Sequence, residues 1–300
     1  MRWIRDYAPD DRRHKILYRN ALIITLLGNV LLASGKATAA YISGSVALYA
    51  DAANSISDVL YSVLVVFGLY IAQQPPDISH PQGHSRFEPL MGLVISLSMA
   101  YAGFEALRAS YERFSMGGMA IEVGLPTVVL LLSAAVKAGM FASISQISRS
   151  LHSPTLEAAA QDNLADVLTS TAAFVGTLGS AFIHPLLDPL AGFVVAFWIF
   201  RAVWNVAREN LRYLTGAGAS LELRQQIVKE AQEVPGVVKV HHAMVEYVGP
   251  RLVADLHVNV DGDQTMRQAH LICDEVTRKL EMMPEIDRAY VHLEPDDWDE

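Results

Sequence analysis

The chain has 300 residues, 52% of them hydrophobic and 18% charged, against a soluble norm of about 25% charged. Its formal net charge of −9, with no basic patch interleaved with aromatics, excludes a nucleic-acid partner. A single cysteine, Cys273, excludes an intrachain disulfide framework and a thiolate-rich metal site. Apolar residues dominate up to about Arg212, and an ordinary mixed-charge sequence follows. The expected organisation is a membrane domain over residues 1–212 and a soluble domain over 213–300.

The opening stretch, MRWIRDYAPDDRRHKILYRN, is charged and contains acids, with no small-residue cleavage site after a short apolar core. It is expected to be a cytoplasmic lead-in rather than a cleaved signal. Arg2, Arg5, Arg12, Arg13, Lys15 and Arg19 precede the first apolar run, which puts the N-terminus inside. Hydropathy predicts spans at 21–41, 44–72, 89–111, 121–147, 154–183 and 186–207, each long enough to cross about 30 Å of hydrocarbon. Six spans return the chain to the cytoplasm, so both termini are expected there, in a multi-pass protein of a bacterial inner membrane. The turns at 42–43 and 184–185 carry no Lys or Arg and suit the outside. The linkers around Arg86 and Arg149, and the exit at Arg201, Arg208 and Arg212, are basic and suit the inside. SMGGMA, at 115–120, reads as an outside loop, although Arg108 and Arg113 before it run against that topology.

The second span contains YADAANSISDVLYS, which puts Asp51, Asn54 and Asp58 in an apolar run. Polar groups there are expensive and mark function by default. Asn54 and Asp58 are four apart and share a helix face; Asp162 and Asp166 in the fifth span repeat the spacing. Two such helices, both rich in Ala and Ser, are expected to pack together at the bundle centre. Four oxygen-bearing side chains would then replace much of the hydration shell of a small divalent cation. The alternative is polar glue between helices, but three mutually repelling carboxylates suit that role poorly. All-oxygen ligation favours Mn²⁺ or Mg²⁺, since Ca²⁺ wants more ligands than four side chains supply. Asp51 reads as a residue supporting the ligands or lining the pathway, or equally as a solvated carboxylate in an open cavity.

After the second span, QQPPDISHPQGHSRFEPL places Asp77, His80 and His84 at spacings that suit a surface metal site. A solvated loop with an Arg86–Glu88 pair is the competing reading. Beyond Arg212 and a TGAGAS linker, LELRQQIVKEAQEV has helical periodicity and ends at Pro235-Gly236. Strands are expected at 237–247 and 251–260, a helix at 265–282 and a third strand at 286–293. The order αββαβ is a small α+β domain, short on core and suited to dimerisation. It carries His241, His242, His257, His270, His292 and Glu294. His257 and His292 can converge from neighbouring strands. His241 and His242, being adjacent, are expected to face opposite ways, so that only one joins a given site. Scattered surface histidines are an equal reading from spacing alone.

Taken together, ADAANSISDV, HPQGHSRFEPL, DNLAD and the PGVVKVHH that opens the tail domain resemble the cation diffusion facilitator family of divalent metal/proton antiporters over nearly the whole chain. The resemblance implies six membrane helices, a metallochaperone-like αββαβ tail and a homodimer. It puts the transport site at Asn54, Asp58, Asp162 and Asp166, and a loop metal site at Asp77, His80 and His84. It assigns tail metal ligands to His241, His257, His270 and His292, with Glu294 where zinc-transporting relatives carry Asp; His242 has no matching role. Zinc-selective members usually have a histidine in the transport site, whereas this chain has Asn54 and Asp162, the manganese-type pattern. Zn²⁺ and Fe²⁺ stay open, because geometry also decides selectivity.

The expected function is proton-coupled efflux of a divalent metal, without a prosthetic group, in which metal displaces protons from Asp58, Asp162 and Asp166 and external protons later expel it. Asn54 cannot titrate and tunes geometry. Metal in the tail would tighten the dimer. Two rivals stand beside this reading: an intramembrane aspartyl hydrolase, which requires a carboxylate pair sharing a proton, and a membrane metal sensor that does not transport.

Overall fold

The computed structural model describes residues 12–43, 46–117 and 125–297. The chain divides into two compact units, Met1–Asn210 and Leu211–Glu300.

The first unit is built from six long helices: α1 Arg12–Ser43, α2 Val46–Ala72, α3 Phe87–Ser115, α4 Leu125–Leu151, α5 Pro154–Phe182 and α6 Leu187–Leu214, whose last turn enters the second unit. Five of these carry a stretch long and apolar enough to span a bilayer. The exception is α5. Its 29 residues are long enough, but Glu157, Asp162 and Asp166 interrupt its apolar character. Several helices overrun the apolar spans predicted for them, α1 and α3 at both ends and α4 and α6 at the C-terminal end, because propagation continues through polar residues until a turn signal stops it. Thus α1 runs through Ser43, so the turn expected at 42–43 is helical; residues 44–45 lie outside the described ones. The basic positions Arg2 and Arg5, and residues 118–120 of the expected 115–120 loop, also lie outside them. Ser153 starts α5: its hydroxyl accepts from the Leu156 N–H, and Pro154 occupies the first turn, where its missing donor costs nothing.

Helix α4 lies along α5 and α1 along α2, while α1 touches α4, α3 touches α5, and α2 touches α3. The buried core runs through Leu69, Ile95, Met99, Ile144, Leu156 and Ile199. Large apolar side chains such as Leu60, Phe67, Leu97, Leu132 and Phe197 point outward, as a lipid-facing surface requires. Asp58 of α2 and Asp166 of α5 both lie within reach of Lys137 of α4.

In the second unit, α7 (Leu221–Gln232), β1 (Val237–Val248), β2 (Arg251–Val260), α8 (Met266–Glu281) and β3 (Ile286–Pro295) follow the αββαβ order. The sheet order is β1-β2-β3, antiparallel then parallel. Ser220 and Thr265 cap the two helices, the latter with a reciprocal Gln268 bond. On the central strand, Leu252, Ala254, Leu256 and Val258 alternate into a core shared with Ile227, Val276 and Leu280 of the helices. Residues of opposite parity, His257 on β2 and His292 and Glu294 on β3, therefore lie on the other sheet face.

Candidate metal centre

Within the membrane unit, Asp58 of α2 and Asp166 of α5 address a single ammonium. Lys137 of α4 is 6% exposed, with its Nζ 2.7 Å from Asp166 Oδ2 and 3.5 Å from Asp58 Oδ2. Asp162, one turn before Asp166, lies close enough for its charge to act on Asp58, Asp166 and Lys137. The side chains of Asp51 and Asn54 lie outside the described residues; the backbone puts Asn54 one helical turn before Asp58. The turn that carries Asp58 is tied to α1: Asn29 Nδ2 donates to Ser62 Oγ at 2.7 Å, and that hydroxyl donates to the Asp58 carbonyl at 2.7 Å. The Tyr61 hydroxyl is buried beside Asp58 and Asp162 and has no hydrogen-bond partner among the described residues.

Lys137 did not enter the sequence reading, although the signal was there: a lysine inside the apolar run LLLSAAVKAGMF. A lysine at the centre of a membrane helix costs about 3 kcal/mol to insert, and an opposite charge at about 4 Å returns roughly that much at an effective dielectric near 20. The carboxylates therefore hold Lys137 in place. Three carboxylates and one ammonium form a charged, oxygen-rich cluster joining α2, α4 and α5, which can bind a hard cation.

Outside the spans, the 73–86 loop folds Asp77, His80 and His84 into one cluster whose ligand atoms lie within 4.8 Å of one another. Asp77 Oδ1 accepts from the His80 backbone N–H at 2.6 Å, and that bond holds the Asp77 carboxyl below the usual carboxylate range. His84 Nδ1 sits 3.1 Å from the Pro75 carbonyl, which can only accept, so Nδ1 carries the proton and Nε2 is left as the ligand atom. That Nε2 lies 3.5 Å from Asp77 Oδ2. The two imidazoles meet at 4.4 Å between centroids, with Phe87 beside both. Gly83, at φ +93°, makes the reversal in a conformation side-chain-bearing residues avoid. Glu88 turns away from this loop into the bundle, where it accepts from Tyr18 and Ser153 and ties α1, α3 and α5 together.

On the open face of the sheet, Glu294 gathers three histidines: His257 Nδ1 at 3.0 Å, His241 Nε2 at 3.1 Å and His292 Nε2 at 3.6 Å. His257 and His292 are register partners on β2 and β3, 5.0 Å apart between rings. The expected opposite facing of His241 and His242 is not met: a bulge leaves His241 unpaired between Val240 and His242, and both rings reach His257, at 5.6 and 4.9 Å. Of the two, His241 offers a ligand atom to the group with His257 and Glu294. His241 Nδ1 is 2.8 Å from Asn259 Oδ1, an acceptor, which orients the ring and leaves Nε2 facing Glu294. His270 does not join this cluster: it is exposed on α8, with Asp274 3.8 Å away as its ion-pair partner.

Comparison with known proteins accounts for both units. The family model of the cation efflux transmembrane domain matches residues 22–215, and that of the cation efflux protein cytoplasmic domain matches residues 219–296. An uncharacterized transporter of Methanocaldococcus jannaschii is 36% identical, covering 91% of this chain and 96% of its own. The manganese efflux system protein MneS of Bacillus subtilis is 27% identical, covering 91% and 94%. The magnetosome protein MamM of Paramagnetospirillum magneticum is 30% identical, covering 84% and 80%. Among solved structures, a cadmium form of the MamM CTD is 33% identical with a TM-score of 0.25, covering 25% of this chain and 95% of that one.

Proposed function

The chain belongs to the cation efflux (cation diffusion facilitator) family, and from that premise we propose that it exports Mn²⁺ from the cytoplasm in exchange for protons. At the coarser level it is a multi-pass membrane transporter of divalent metal cations and not an enzyme. The observation that carries the proposal is the convergence of Asp58 and Asp166 on one cationic centre beside Asp162. A carboxylate pair sharing a proton, as a hydrolase requires, is replaced by two carboxylates sharing an ammonium.

Hard oxygen donors with no imidazole or thiolate favour Mn²⁺ over Zn²⁺. The manganese efflux system protein among the relatives supports the same choice. Zn²⁺ and Fe²⁺ are the alternatives. In the proposed cycle Asn54, Asp58, Asp162 and Asp166 ligate metal arriving from the cytoplasm. Carboxylates bind metal only when ionised, so protons from the outer side, once loaded onto Asp58, Asp162 and Asp166, release it. Asn54 shapes the site without titrating. Metal at His241, His257, His292 and Glu294 regulates a homodimer formed through the tail unit, and the loop cluster of Asp77, His80 and His84 is an accessory site. His270, away from the cluster, binds metal only together with groups beyond it. Both termini are cytoplasmic, in a bacterial inner membrane.

The test is proton flux in proteoliposomes with Mn²⁺, Zn²⁺ and Fe²⁺ offered separately. Mn²⁺-driven flux that disappears in Asp166→Ala, with folding and oligomeric state intact, is the expected result. Zn²⁺ flux exceeding Mn²⁺ flux would withdraw the manganese assignment and leave the exchanger; undiminished flux in Asp166→Ala would remove the site.

A further inference from the structure

We propose that the Lys137 ammonium is a tethered cation resident in the transport site, which compensates Asp58 and Asp166 in the empty carrier and gives way when the divalent metal arrives. The inference rests on the site reading above and adds the occupant to it.

Three observations carry it. First, the position: Nζ lies between Asp58 Oδ2 and Asp166 Oδ2, the oxygens that a bound metal would use, rather than beside the cluster. Second, the origin: Lys137 comes from α4, a helix that carries none of the four ligands, and reaches one carboxylate of α2 and one of α5. Third, the burial: at 6% exposure the charge is held by these carboxylates and not by water.

The chemistry follows from charge and reach. A divalent metal binds carboxylate oxygens at about 2.0–2.2 Å. The ammonium now held at 2.7 Å by Asp166 cannot keep that oxygen without sharing it with a dication. Doubling the charge on the incoming ion doubles its attraction to each carboxylate, so the metal wins. The lysine stem has four flexible carbons and can withdraw its head along the cavity. The cost of moving the ammonium is subtracted from metal affinity. In return, Asp58 and Asp166 are not left uncompensated once their protons have passed to the cytoplasm and before the metal arrives. A monovalent tether also bars free monovalent cations, which offer no more charge than the group already present.

The experiment uses the full chain at one fixed pH, with Mn²⁺ as the probe. Equilibrium Mn²⁺ binding, thermal stability without and with Mn²⁺, and transport kinetics are compared for wild type, Lys137→Gln, Lys137→Met, Lys137→Arg and Asp166→Asn. Removing the ammonium tightens Mn²⁺ binding by about tenfold or more. In transport, KM falls and kcat falls with it, because release of the tighter-bound metal becomes slow. The metal-free protein melts lower while the Mn²⁺-induced rise in Tm grows. Lys137→Arg retains the weaker, wild-type-like binding. A purely structural lysine predicts the same fall in Tm but weaker Mn²⁺ binding and a smaller Mn²⁺-induced rise in Tm.

Unchanged or weaker binding in Lys137→Gln and Lys137→Met, with binding abolished in Asp166→Asn, overturns the resident-cation inference and leaves the site. Wild-type binding that survives Asp166→Asn overturns the site and the inference with it. Should the substitutions fail to fold, amine labelling of the wild-type protein decides: Mn²⁺ raises the reactivity of Lys137 if the head is displaced, and an unchanged reactivity overturns the proposal.

Discussion

At the scale of single residues, the sites are governed by which atom of a side chain is left for the ligand. Pro75 and Asn259 each accept from one nitrogen of a histidine and so present the other: His84 Nε2 toward Asp77, His241 Nε2 toward Glu294. Asp77 contributes differently. Its carboxyl is held below the usual carboxylate range by the His80 N–H, so it stays ionised through mildly acid pH. Asp77→Asn is expected to weaken metal binding at the loop by the same factor at pH 6.0 and pH 7.5. Isothermal titration at the two pH values checks this; a factor that shrinks at pH 6.0 would mean that Asp77 is already titrating there.

Among the elements, two contacts decide the geometry of their units. The β1 bulge at His241 is held by Asn259, whose Nδ2 donates to the Pro295 carbonyl at 3.1 Å while Oδ1 faces the ring, joining all three strands. Asn259→Leu keeps the volume but frees the imidazole. Tail metal affinity should fall about tenfold, the lower end of what losing a ligand-orienting partner costs, measured by competition with a fluorescent chelator. In the membrane unit, α3 and α6 meet where Gly92 faces Asn210. A Cβ at Gly92 would lie 2.1 Å from Asn210 Oδ1, and Asn210 is buried with its Nδ2 donating to the Val206 carbonyl. Gly92→Ala is expected to destabilise by about 1–3 kcal/mol through overpacking. Adding Asn210→Ala should recover most of the loss in a thermal melt; no recovery would mean that the close approach is not what the glycine serves.

For the whole molecule, the division into a membrane unit and a tail unit puts the proposed transport site and the proposed regulatory cluster in different units. None of the transport-site side chains belongs to the tail, and none of the tail cluster belongs to the bundle. Replacing His241 and His257 together by alanine should therefore leave the maximal rate within about twofold and raise the metal concentration needed for half-maximal transport several-fold, the range of a typical coupling energy. Proteoliposome flux against Mn²⁺ concentration tests it, and loss of the maximal rate would mean that the tail takes part in the transport step.

The sequence by itself determined the elements and the polar residues inside the spans. Helix length, apolar stripes and two-residue alternation are local properties, so the six helices and the αββαβ order were legible from neighbours in the chain. The i, i+4 oxygens were legible for a similar reason: charge inside a membrane span is costly wherever the helix ends up. Only the tertiary structure decided what those groups meet. Asp58 and Lys137 are 79 residues apart, and the ammonium that Asp58 and Asp166 share belongs to a helix whose pattern announced only a span. The bulge that brings both His241 and His242 to His257 depends on pairing with β2, and the separation of His270 from the cluster depends on which face of α8 it occupies. Each of these rests on a contact between distant segments, which local periodicity does not encode.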